Sequence, residues 1–140
     1  MTSWIDAIDL TASAVEVRLR ATDVATLTEG RIYDTIAPPG APLPHLVFAL
    51  DGTYTNTSPR DDVEISLMVR CFATKRETVQ AVASAVVQAL HRQQLQIPGW
   101  SNYWLAAGRF ERDAGYQKNE QYHVRTITFE IRADDAMKGN

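Results

Sequence analysis

Residues 30–50, GRIYDTIAPPGAPLPHLVFAL, set two β-prone runs on either side of a proline-clamped connection. In the first run, Arg31 to Ile36, apolar and polar residues alternate and β-branched and aromatic side chains dominate, the pattern of a half-buried strand. The second, His45 to Leu50, reads the same way. Between them Pro38, Pro39, Pro42 and Pro44 fix φ and remove backbone donors, while Gly40 tolerates dihedrals closed to other residues. A connection this stiff costs little entropy to order, so its expected role is to hold two strands at a set angle.

Working outward, Trp4, Ile8, Thr11 or Ala12, Val15 and Leu19 recur at helical spacing and predict an amphipathic helix over 3–21, with Ser3 and Asp6 as a near capping box. Glu16, Arg18 and Arg20 fall off that stripe and are expected in solvent. Asp23 caps a short turn through Thr28, and Gly30 follows as its C-terminal residue. Downstream of Leu50, Asp51-Gly52 is a turn signal, and 53–59 is a polar loop or the tip of a long hairpin. Val63 to Phe72 carries apolar residues at every odd position. That alternation predicts a strand with Val63, Ile65, Leu67, Val69 and Cys71 toward the helices and Glu64, Ser66 and Arg70 on the other face.

Thr74 and Glu77 have capping-box spacing, and Val79, Val82, Ala83, Val86, Val87 and Leu90 form the stripe of a second helix ending at His91, with Gln93 and Gln94 frayed. Ile97 to Trp100 is a break. A strand over 103–112, a polar turn over 113–120 centred on Gly115, and a last strand over 121–132 complete the pattern, and 134–140 is expected to fray. The sum is one α+β domain over 1–140, a mainly antiparallel sheet of about five strands with two helices packed on one face.

Composition narrows function. A net charge of −3 argues against a binder of nucleic-acid backbone, which needs clustered lysine and arginine. One cysteine, Cys71, excludes an internal disulfide and a multi-cysteine metal site. No apolar run reaches the roughly 20 residues of a membrane span, and the N-terminus lacks the basic start of a signal peptide, so folding in the cytoplasm is expected. His45, His91 and His123 show no metal-ligand spacing, and His45, just after Pro44, suits a bond to a loop carbonyl. The adjacent pairs Asp61-Asp62 and Asp134-Asp135 would point to opposite faces of an extended chain, and no serine sits in a nucleophile motif. No catalytic, cofactor or metal residue is expected.

Two features remain. Trp100, Tyr103 and Trp104 are large aromatics within one short span, a composition of buried interface centres that equally serves to cover the sheet edge or the helix ends within one subunit. The polar stretch with Tyr54, Asn56, Arg60, Asp61 and Asp62 is either a hairpin tip or an arm that reaches a neighbour. These eight residues are the candidate protein interface.

The run GRIYD, its proline-rich turn and APLPHLVF resemble a family of small tail-completion proteins of long-tailed bacteriophages and phage-derived particles. The resemblance covers nearly the whole chain in the order of its elements. It implies a structural virion protein of the tail or neck, assembled in the host cytoplasm. Subunits would form a ring, hexameric in related tail terminators, that caps the tail tube, ends its polymerisation and meets the head-side connector. Partners would be other copies of the chain, the tube protein and the connector or adaptor, with DNA passing the lumen unbound and no membrane involved. The alternative from a different class is a small-ligand binding domain or enzyme, its pocket between sheet and helices near Tyr33, His45 and Trp104.

Overall fold

A computed structural model describes residues 4–57, 60–95, 97 and 100–135, with the backbone alone described at 4–6, 53–57, 60–63, 100–104 and 132–135. Three helices, α1 (Trp4–Arg20), α2 (Asp23–Leu27) and α3 (Arg76–Leu90), accompany five strands: β1 (Ile32–Asp34), β2 (His45–Thr57), β3 (Arg60–Ala73), β4 (Trp100–Gln117) and β5 (Glu120–Asp135). The strands form one sheet in the order β1-β2-β3-β5-β4, antiparallel except for the β1–β2 pair. The α+β class follows as expected.

Burial of the odd positions of β3 drives the assembly. Ile65, Leu67, Val69 and Cys71 are buried, as are Leu46 and Phe48 of β2 and Ile127, Phe129 and Ile131 of β5. Thr11, Val15 and Leu19 of α1 and Val79, Val82, Val86 and Leu90 of α3 close over them, which puts the core between the long helices and one sheet face. Cys71 lies in this core, and burial pushes its thiol up to about 12, the behaviour of a structural cysteine.

Arginines tie the layers together. Arg18 was expected in solvent, yet its Nε donates to the Ala89 carbonyl in the last turn of α3, where a cation also meets the negative end of the helix dipole. Arg20 reaches the carbonyls of Gly30 and Ile32. Arg31 donates to Pro44 O at 2.9 Å and Leu43 O at 3.2 Å, so one guanidinium clamps the far end of the proline connection. With that connection held, β1 and β2 lie parallel.

Several boundaries move from those expected. β1 stops at Asp34, because Thr35 turns to a positive φ of 69°. Asp51-Gly52 makes no turn: β2 runs on through it, and Gly52 leaves room for Ile8 of α1, whose Cδ1 would come within 2.8 Å of a Cβ there. Thr22 precedes α2 and Lys75 precedes α3, neither with a side-chain cap, so Asp23 is the first helical residue and the Thr74–Glu77 box does not form. At the end of α2, Glu29 and Gly30 both take positive φ, 54° and 77°, so Gly30 ends the helix as expected with Glu29 beside it, and their amides close onto Thr26 O and Ala25 O. Gln93 does not fray, since its carbonyl accepts from Leu105 N while Arg92 N donates to Leu105 O. Ser3, Pro59 and residues 136–140 lie outside the described residues.

The largest revision concerns the last hairpin. Gly115 sits within β4 opposite Tyr122, and the turn is Lys118-Asn119, with φ of 52° and 66°. Two consecutive positive φ values define the tight turn whose twist matches paired strands, usually made by Asn-Gly. Asp134 and Asp135 are accordingly paired strand residues and not a frayed end. The joint replacement Lys118→Asn and Asn119→Gly should stabilise the fold by about 1 kcal/mol by relieving the left-handed lysine. Urea denaturation measures this, and an unchanged or lower midpoint would contradict the turn assignment.

Candidate assembly surface

The backbone pairing brings the expected interface residues to one end of the sheet. Asn56 lies opposite Asp61 and Thr57 opposite Arg60 at the end of the β2–β3 hairpin, Asp62 lies opposite Asp134, and Trp100 lies opposite Asp135. Tyr54 and Trp104 are one to two steps further in, across from Val63 and Arg132, and Tyr103 falls in the bulge between Ser101 and Trp104. Residues 53–57 are therefore paired strand and no free loop, and 58–59 lie outside the described residues. The side chains of all eight residues lie outside the described set.

Both sheet edges are left partly open. On one side β1 pairs only with Leu46 to Phe48, and Thr35 N adds a bond to Phe48 O. From Ala49 to Thr57 no described backbone group pairs with the outer side of β2. On the other side the α3–β4 connection bonds Leu105 through both its N–H and carbonyl, and His91 Nδ1 accepts from Ala107 N at 3.0 Å. A register shift follows at Gly108, and from Arg109 to Gln117 the outer side of β4 has no described partner. Sequence reasoning singled out the aromatic span at the start of β4 as candidate interface, whereas the open stretch of that strand is its second half. Phe110 within it remains 64% exposed.

A cavity of about 600 Å³ runs between α3 and this edge, lined by Ala83, Val87, Phe110 and Ile127 and bordered by Arg112 and Arg125. The expected pocket around Tyr33, His45 and Trp104 does not exist as one site. The Tyr33 and His45 rings meet edge to face at 5.8 Å, and His45 stacks on Phe72 at 4.8 Å, on the sheet face away from the core. Trp104 belongs, through Arg132 and Glu64, to the row of Thr53, eight residues along β2 from His45 and roughly 25 Å away. Among the described residues no group of three or more His, Cys, Asp or Glu could hold a metal ion, and no helix is long and apolar enough to cross a membrane.

Comparison with known proteins identifies this arrangement. Residues 13–134 match the family model described as Tail completion protein gp17. The chain belongs to that family. It is thus a structural phage tail protein, a component of tails of phages or phage-like particles. Among solved structures, a chain from the virion of a native gene transfer agent particle superposes with a TM-score of 0.77 at 20% identity, over 94% of this chain and 99% of the other. A second solved chain, which carries no functional description, gives 0.58 at 13% identity over 88% and 94%. Identities this low establish a shared fold. No curated protein sequence matches the chain.

His45 offers a test of the packing at the opposite end of the sheet from the β2–β3 hairpin. Its Nδ1 donates to the Pro42 carbonyl at 3.1 Å. Burial and, more weakly, the Arg31 charge lower its pKa below 6.5, against the opposing pull of the Pro42 bond. The folded chain therefore resists protonation that the unfolded chain accepts, so stability falls as pH drops below about 6.5 and levels off below the folded pKa. Thermal unfolding of wild type and His45→Phe between pH 7.5 and 5 should show a shallower decline in the variant. Equal slopes would mean that His45 titrates alike in both states.

Proposed function

We propose that this protein assembles head to tail into a closed ring that caps the tail tube, ends its polymerisation and presents its opposite surface to the head-side connector. The observation that carries the reading is the pair of open sheet edges on opposite sides of one subunit, the second half of β2 and the second half of β4. Unpaired strand edges invite pairing with another chain, and soluble proteins cover, blunt or use them. Two different edges that pair with each other make a heterologous contact, which either closes into a ring or grows into a filament. A ring agrees with a protein that completes a tail, and six subunits is the number that the family resemblance implies.

β2 and β4 run antiparallel to each other within the sheet, so a neighbour related by rotation about a ring axis would present β2 antiparallel to β4. That is the geometry of a continuous antiparallel ladder. Capping needs shape and charge complementarity and no turnover. With a net charge of −3 per subunit, the ring would repel DNA in its lumen and let it pass without adhesion.

Incubation with polymerising tail tube protein tests the reading. Electron microscopy should show added density at tube ends and arrested elongation at substoichiometric amounts of the protein. Tubes that lengthen unchanged, with bare ends, would overturn it.

A further inference from the structure

At the end of the sheet away from the hairpin, three arginines crowd one recess on the helix-covered face. Arg112 and Arg125 are cross-strand partners, and both line recesses shared with Arg76, the first residue of α3. Arg125 keeps only 9% of its surface exposed. Its hydrogen bonds go to uncharged acceptors, Val124 O at 3.0 Å and Gln80 Oε1 at 3.4 Å. Glu77, Asp113 and His123 also border the recesses. Asp113 instead accepts from Ala114 N, and among the described residues no carboxylate comes within ion-pair distance of Arg76, Arg112 or Arg125. Burial, then the charges of Arg112 and Arg76, lower the pKa of Arg125, although a guanidinium stays protonated at any ordinary pH. The N-terminus of α3 adds partial positive charge.

Three guanidiniums that share one recess without a described carboxylate at ion-pair distance repel one another, and an arriving anion would relieve that repulsion. The anion's source follows from the layout of the chain. The row Leu46–Cys71–Arg125–Arg112 crosses the sheet at the arginine end, and the row Thr55–Asp62–Asp134–Ser101 crosses it at the hairpin end. At that second end Asp61, Asp62, Asp134 and Asp135 outnumber Arg60 and Arg132. Nine residues of strand separate the rows, roughly 30 Å, so acidic and basic ends cannot meet within one subunit. The open half of β2 lies at the acidic end and the open half of β4 at the basic end. A neighbour displaced along the strands by about that length aligns the two open edges and, by the same movement, brings its acidic hairpin to the arginines.

We propose that the recess of Arg76, Arg112 and Arg125 is the socket for the acidic β2–β3 hairpin of a second copy of this chain, and that it sets the stagger between neighbours. The inference rests on the ring reading. The adjoining apolar groove with exposed Phe110 favours a protein occupant over bare phosphodiester.

Light scattering and sedimentation of the full chain across a concentration series, with Arg76→Glu/Arg112→Glu, Asp61→Arg/Asp62→Arg and all four changes combined, test the socket. Each charge reversal should raise the concentration for half-assembly on the order of tenfold or more, and the combined swap should restore assembly, which misfolding could not do. Added salt should weaken wild-type assembly. Wild-type rings with reversals that assemble normally, or a swap that fails to rescue, would overturn the socket and leave the ring standing. Normal assembly of the arginine variant with lost retention of duplex DNA would assign the anion to phosphate and also overturn it. A wild type that stays monomeric at every concentration and on tail tubes would remove ring and socket together.

Discussion

Backbone hydrogen bonding at the sheet edges is the constraint on which the rest of this structure depends. A three-residue β1 beside a thirteen-residue β2 leaves most of one edge without partners, and the α3–β4 connection covers only the first half of the other. Each open N–H or carbonyl must find water or another strand. The edge carries some protection, with a bulge at Gly108 and the Arg109–Glu111 ion pair at 3.3 Å on β4. These devices shorten the open ladder without closing it. An edge that is trimmed yet left open suits the self-association proposed for this chain.

The fold also separates charge along the strands. The proline connection, the arginine recess and the Lys118-Asn119 turn lie at one end of the sheet, and the acidic hairpin lies at the other. In the proposed ring, a subunit polarised in this way would have a preferred neighbour on each side, with charge selecting the head-to-tail contact and the ladder supplying its directional bonds. The helices contribute rigidity. Arg18 fastens the end of α3 to α1, and Arg31 fastens the proline connection to the strand it feeds, which keeps both edges at fixed positions on one core.

Most of the fold was legible in the sequence because burial on one face leaves a periodic trace. The odd positions of β3 and the stripes of α1 and α3 are such traces: the structure buries the odd positions from Ile65 to Cys71 and most of both stripes, leaves Ile8 and Val87 partly buried, and does not describe the side chains of Trp4 and Val63. What escaped was set by backbone geometry without a distinctive residue. Lys118 and Glu29 occupy left-handed positions that glycine usually marks, so the real hairpin turn was masked and Gly115, a strand residue, was mistaken for it. Gly52 looked like a turn because its use, making room for Ile8, depends on a helix distant in sequence. The interface was half legible. The hairpin and the aromatic span stood out by composition, but the arginine recess joins residues 76, 112 and 125, and only the sheet register brings them together.

Hydrogen–deuterium exchange, read amide by amide on dilute and assembled protein, is the most direct test that neighbouring subunits pair through their sheet edges. Alternate amides over Leu50–Thr57 and Arg109–Gln117 should exchange quickly in the dilute chain and become protected on assembly, while core amides of β3 stay unchanged. Assembled protein in which both stretches still exchange at the dilute rate would contradict edge pairing.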